Sequence, residues 1–176
     1  QALREQYKFD AISLMPTNLY GPKDNYHPND SHVMAALISK FCYAKKESKS
    51  FVECWGTGSP LREFLHVDDL GEAATFCLEH WDPFDQNSPV DINGEPLNFL
   101  NVGTGKDISI SELANKVAKI LDFKGNIIWN SDKPDGTPKK QLNIERILAL
   151  GWSPKISLDE GIKNTIKNFQ KMNFDI

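Results

Sequence analysis

The strongest constraint on the fold lies between Ala11 and Val33. Ala11-Ile12-Ser13-Leu14-Met15 is a short, largely apolar run with the length of one buried strand. It runs into Pro16-Thr17-Asn18-Leu19-Tyr20-Gly21-Pro22, then a polar loop, Lys23-Asp24-Asn25-Tyr26-His27-Pro28-Asn29-Asp30, ending in Ser31-His32-Val33. Helical spacing starts there and continues to Ala44. Open α/β sheets bind ligands at the carboxyl ends of their strands. A buried strand that ends in proline, threonine, asparagine and glycine therefore marks both the fold class and the first candidate site.

The rest of the chain repeats the alternation. A partial helix over 1–7 leads to a strand at 10–15. A helix is expected over about 32–45, with Val33, Leu37 and Phe41 on one stripe and Ser31 as N-cap. Phe51 to Trp55 reads as a strand stopped by Gly56-Thr57-Gly58-Ser59-Pro60, and Glu63 to Val67 as another. Asp69 and Glu72 have the spacing of a capping box for a helix over 69–80, its apolar side being Leu70, Ala73, Ala74, Cys77 and Leu78. Segment 81–96 is turn-rich and reads as an exposed excursion.

Leu97 to Val102 reads as a strand, followed by Gly103-Thr104-Gly105. Ser109 and Glu112 form a second capping box, for a helix with Ile110, Leu113, Val117 and Leu121 inward. A short strand at 126–129, a loop over 131–140 and a short helix at about 143–149 follow, with Gly151 as its stop. Ser157 with Glu160 caps a last helix whose stripe is Leu158, Ile162, Ile166 and Phe169. Strands alternating with helices predict an α/β fold with some parallel pairing.

At 176 residues the chain is long enough to bury a real core within one domain. A net charge of -4 gives no reason to expect nucleic acid or an anionic membrane surface as partner. No apolar run reaches the ~18 residues of a membrane span, and the opening residues carry no signal-peptide pattern. Cys42, Cys54 and Cys77 form no C-x-x-C pair, so free thiols in a reducing cytosol are expected. Residue 1 is Gln, inside a helical stretch, which leads to the expectation of a piece of a longer protein. No three-glycine nucleotide fingerprint and no P-loop is present, and Gly103-Thr104-Gly105 alone is a weak phosphate-loop candidate.

Several motifs together resemble the C-terminal half of the GDP-L-fucose synthase family, among the extended short-chain dehydrogenase/reductases. They are Met15-Pro16-Thr17-Asn18-Leu19-Tyr20-Gly21-Pro22, His27-Pro28 with Asn29-Asp30-Ser31-His32-Val33, Trp55-Gly56-Thr57-Gly58, Arg62-Glu63-Phe64-Leu65-His66-Val67-Asp68-Asp69, Asn101-Val102-Gly103-Thr104-Gly105 and Lys133-Pro134-Asp135-Gly136-Thr137-Pro138. The resemblance implies epimerisation of GDP-4-keto-6-deoxymannose beside its ketone, then reduction of the ketone by NADPH. It implies a Rossmann fold with a smaller α/β sugar-nucleotide domain, a cytoplasmic location and a homodimer. Residues 1–31 and about 69–105 would complete the Rossmann sheet, with about 32–68 and 106–176 forming the substrate portion. The family's Gly-rich NADP loop, catalytic Ser and Tyr-x-x-x-Lys pair would lie before residue 1, so NADP(H) would be bound mostly outside this stretch. None of Cys42, Cys54 and Cys77 matches the family's epimerisation cysteine.

The resemblance also assigns residues. His32 becomes the proton-transfer residue, a role that an imidazole near neutrality can fill, and a cofactor contact; the residues alone favour a surface loop histidine, and the resemblance reverses that preference. Pro16, Thr17, Asn18 and Leu19 become the strand end facing the nicotinamide, where an Asn amide can serve a carboxamide as donor and acceptor. Lys40, Trp55, Arg62, Asp135 and Lys140 become GDP-sugar contacts, with Arg62 on the pyrophosphate because a guanidinium grips phosphate with a planar fork. The competing structural readings are a core tryptophan at 55, an arginine paired with Glu63 or Asp68, and a plain proline-glycine turn at 133–140. His27, His66 and His80 have no metal-ligand spacing, and Trp81, Trp129 and Trp152 read as packing residues. At the level of function, an enzyme half, a non-catalytic GDP-sugar-binding fragment and another nucleotide-sugar epimerase or dehydratase of the same superfamily stand as alternatives.

Overall fold

A computed structural model describes residues 2–28 and 30–174, and its fold is α/β with mainly parallel pairing. Helix α1 (Ala2–Tyr7) precedes β1 (Ser13–Pro16), which pairs in parallel with β5 (Phe99–Val102) in the register Ser13 to Phe99 through Pro16 to Val102. Two residues later a separate strand begins, β2 (Asn18–Tyr20), parallel to β4 (Leu61–His66). Strand β4 also pairs antiparallel with β6 (Asp107–Ser109) and parallel with β8 (Lys139–Lys140). Strands β3 (Phe51–Trp55) and β7 (Asn126–Asn130) make a third, parallel pair. The helices are α2 (Val33–Lys46), α3 (Val67–His80), α4 (Ile110–Leu121), α5 (Glu145–Ala149) and α6 (Leu158–Asn173).

The apolar stripes of α2, α4 and α6 meet in one core. Met34, Ile38, Phe41, Leu113, Val117, Ile162 and Phe169 are buried there against Val52 and Cys54 of β3 and Phe64 of β4. Tyr20 joins it by lying on Gly161, where any side chain would collide with its ring. A second cluster gathers Leu65, Ala73, Cys77, Trp81, Leu100, Val102, Ile147 and Trp152 around β5, α3 and α5. Trp81 and Trp152 are packing residues as expected; the rest of segment 81–96 is mostly exposed, as a turn-rich excursion should be.

Two caps differ from the sequence reading. The N-cap of α2 is His32, without a side-chain cap bond, and not Ser31. Helix α3 begins two residues early, because His66 caps it: its Nδ1 accepts from the Asp68 N–H at 3.2 Å. Asp69 then lies inside the helix and forms no box with Glu72. Its buried carboxylate reaches across the chain and accepts from the N–H groups of Lys155 and Ile156 at 3.1 and 3.0 Å. The Ser109–Glu112 box is present in both directions, and Ser157 caps α6 through the Glu160 N–H. The short strands β2, β6 and β8 carry no periodic signal of their own, since each is set by pairing to β4.

Candidate functional site

Thr17 is the joint between two sheets. Its N–H donates to the Val102 carbonyl at 3.0 Å, continuing the β1–β5 ladder. Its hydroxyl donates to the Glu63 carbonyl of β4 at 3.3 Å, and Asn18 Nδ2 donates to the same carbonyl at 2.7 Å. The chain therefore changes sheets at the carboxyl end of β1, the kind of place where open α/β sheets leave a crevice. One expectation is refined here. An Asn18 amide proton is spent on β4, which orients the amide, while its Oδ1 meets no donor among the described residues.

Glu63 was not singled out by the sequence reading, yet it ties the site together. Its carboxylate is fully buried. Oε1 accepts from the N–H groups of Thr104 at 2.5 Å and Gly105 at 2.8 Å, and Oε2 accepts from the Leu142 N–H at 2.8 Å. A Cβ on Gly103 would collide with Oε1, so glycine is required for this close approach. The Gly103-Thr104-Gly105 turn is thus occupied by a carboxylate of the protein itself. The available signal in the sequence is an acid beside the apolar pair Phe64-Leu65 within a strand; a buried acid needs such partners.

Arg62, one residue earlier, pairs by register with Lys140 of β8 on one side and Ile108 of β6 on the other. Its Nη1 donates to the Leu61 carbonyl at 2.8 Å, and Nη2 lies beside Gly136. Among the described residues no carboxylate is within ion-pair distance of it, so it does not pair with Glu63 or Asp68. Lys139, next to Lys140, pairs with Asp107 at 3.1 Å, while Lys140 itself is exposed.

Trp55 is 55% exposed at the end of β3, so it is no core tryptophan. The ammonium groups of Lys40 and Lys133 each lie 5.3 Å from its ring centroid, within cation–π range. Lys40 is held in place by the Glu53 carbonyl at 3.0 Å. Asp135 is committed to the neighbouring turn: Oδ1 accepts from the Thr57 N–H at 2.6 Å and Oδ2 from its hydroxyl at 2.7 Å. These bonds hold its carboxyl below the usual range, and they dock loop 131–138 onto Gly56-Thr57-Gly58. His32 stands apart, exposed at the start of α2, with no described interaction joining it to Asn18 or Arg62.

The cysteines carry no reactive chemistry. All three are free and buried, and burial pushes the Cys42 thiol up to about 12 and raises those of Cys54 and Cys77. Among the described residues no group of His, Cys, Asp or Glu is arranged to hold a metal ion, and no helix is long and apolar enough to cross a membrane.

A family model described as "NAD dependent epimerase/dehydratase family" matches residues 1–93, just over half of the chain. The chain belongs to the NAD dependent epimerase/dehydratase family.

Among curated proteins of the kind, it is 48% identical over 167 residues to "Probable GDP-L-fucose synthase 1" of Oryza sativa subsp. japonica. That match covers 95% of this chain and 47% of the relative. Among solved structures it is similar to a GDP-6-OMe-4-keto-L-xylo-heptose reductase from C. jejuni, with a TM-score of 0.83 and 33% identity over 98% of this chain and 57% of that one. It is also similar to a GDP-L-fucose synthetase from Naegleria fowleri bound to NADP, with a TM-score of 0.75 and 26% identity over 91% of this chain and 46% of that one. The chain spans about half the length of the curated relatives it matches. The Gly-rich fingerprint is not among its residues.

Proposed function

We propose that this chain is the sugar-nucleotide-binding half of a GDP-L-fucose synthase. The observations that carry the reading are two basic pairs joined by one loop. Arg62, free of any carboxylate among the described residues, stands in register with Lys140 on β4 and β8, and Trp55 of β3 carries Lys40 of α2, while loop 133–136 places Lys133 over Trp55 and Gly136 beside Arg62. A GDP-sugar offers a diphosphate to the unpaired Arg62 fork. Lys140 and Lys40 add positive charge, and the exposed Trp55 ring gives an apolar surface. Asp135 shapes this face by fixing its loop. Residues 1–31 and about 69–105 complete a Rossmann sheet, and 32–68 with 106–176 form the substrate portion.

The strand end fits the nicotinamide end of NADP(H). Asn18 is oriented by its bond to β4 and presents a free Oδ1 to a carboxamide N–H, with Pro16, Thr17 and Leu19 as the adjoining wall. NADP(H), when bound, supplies the hydride that reduces the 4-keto group, and most of its contacts fall to an N-terminal half. His32, an exposed imidazole at the start of α2, moves protons at C3 and C5 beside the ketone. A cytoplasmic, homodimeric full-length enzyme is part of the same proposal.

The test uses the full-length form, with the N-terminal half that the relatives carry. It should oxidise NADPH only with GDP-4-keto-6-deoxymannose, and GDP should compete where UDP and dTDP do not. His32→Gln should slow solvent-deuterium incorporation at the epimerised carbons by ~100- to 10,000-fold, with little change in GDP-sugar affinity. Unchanged exchange would return His32 to the status of a loop residue. A second reading, a reductase of another GDP-keto-sugar, is supported by the likeness to the heptose reductase. It requires NADPH oxidation without deuterium incorporation.

A further inference from the structure

We propose that Glu63 is a positioning residue that sets Arg62 and the Lys139–Lys140 strand against the sheet junction. The proposal rests on the GDP-sugar reading of that face. Glu63 is fully buried, and its three side-chain bonds to backbone N–H groups come from two separate segments, the 103–105 turn and the strand exit at Leu142. Among the described residues no cation pairs with it, so those N–H groups are its principal partners. Its carbonyl meanwhile receives Thr17 and Asn18.

Arg62, the exit of the lysine strand and the strand end at Asn18 therefore all adjoin one residue. Arg62 precedes Glu63 on β4 and pairs by register with Lys140. Leu142, two residues beyond Lys140, is pinned to Oε2. The carboxylate thus fixes the distance between the guanidinium and the following lysine strand, while the carbonyl fixes the same strand against Asn18. An apolar residue at 63 could fill the volume, but it would leave three part-buried N–H groups without acceptors.

Glutamine separates the two halves of this arrangement. Its single carbonyl oxygen can keep the Thr104 and Gly105 bonds, but its NH2 then faces the Leu142 N–H, donor against donor. Glu63→Gln should release the strand exit and leave the turn in place. In the full-length form, the KM for the GDP-sugar should rise roughly 10- to 100-fold, the scale of a small misplacement, with kcat and the NADPH KM near their starting values. A purely structural residue would lower the folded fraction and the Tm without moving KM.

A double-mutant cycle with Arg62→Ala decides the matter. If Glu63 acts through Arg62, then Glu63→Gln adds little once Arg62 is gone. The same KM factor in both backgrounds, or no factor in either, overturns the proposal. If Arg62→Ala raises KM and Glu63→Gln does not, Glu63 alone is excluded and the substrate reading stands. If Arg62→Ala itself leaves KM unchanged, the substrate reading of this face fails and the role of Glu63 goes with it. Should Glu63→Gln fail to fold, Gly103→Ala displaces the same carboxylate sterically, and the same KM rise is expected; an unchanged KM in that folded variant overturns the proposal.

Discussion

The region around α2, α4 and α6 and the region around β1 and β5 are built to different standards of closure. In the first, three helix stripes converge and residues such as Ile38, Leu113 and Ile162 are wholly buried. In the second, β1 has β5 as its partner, and Ser13, Met15 and Pro16 are exposed. Leu3, Tyr7, Phe9, Leu78 and Phe99 leave a further apolar surface on α1, α3 and β5 and in the loop after α1. A two-stranded sheet is marginal alone, and an unpaired edge invites pairing. The difference teaches which half of the work each region is equipped for. The first region can hold an arginine, a tryptophan and a docked loop in fixed positions. The second presents an edge and apolar side chains, as expected on the proposed reading of a Rossmann sheet completed by an N-terminal half.

The largest test of this contrast is a pair of truncations. Phe169→Ala, in the closed core, should cost about 3–5 kcal/mol. Met15→Ala, on the exposed strand, should stay within about 0.5 kcal/mol of neutral. Denaturant unfolding measures both, and similar costs would erase the contrast. Next in size is Asp69→Ala, which removes the carboxylate joining α3 to the segment entering α6. The N–H groups of Lys155 and Ile156, in part-buried bonds, would lose their acceptor, at a cost of about 1–3 kcal/mol. The two regions should then unfold less cooperatively, so that probes in α3 and α6 give separate transitions; coincident transitions would deny that Asp69 couples them.

Thiol labelling sharpens the comparison further. Cys42 and Cys54 lie in the closed core and Cys77 in the second cluster. Cys77 should label first, through local opening, and the other two only with global unfolding. Equal rates would contradict this. The smallest effect concerns Asp135. Its carboxyl is lowered, so the Thr57 docking is fully present above the ordinary value of 3.8 and is lost as pH falls through a lower one. Asp135→Asn should abolish that acid transition, read by Trp fluorescence, with little change at neutral pH.

Much of this was legible in the sequence. The helices announced themselves by stripe and cap, because Ser109–Glu112 and Ser157–Glu160 are local signals that need no tertiary context. Trp55, Arg62 and Lys140 are picked out by the family resemblance, because the residues alone leave open a core tryptophan and a paired arginine. What could not be read was set by distant partners. Asp69 has a capping spacing but bonds to Lys155 and Ile156 instead, and His66 takes the cap. Glu63 reads as a strand residue until the 103–105 turn and Leu142 close around it. Lys133 reads as a loop lysine until it lies over Trp55.

The central claim is that substrate and cofactor contacts divide between Arg62's face and an N-terminal half. Titration calorimetry of Arg62→Lys in the full-length form tests it most directly. Lysine keeps the charge but not the fork, and one charge-assisted hydrogen bond contributes on the order of 1.5–3 kcal/mol. GDP-sugar affinity should therefore fall roughly 10- to 100-fold, with NADPH affinity unchanged. Equal losses for both ligands, or none for the GDP-sugar, would contradict the account.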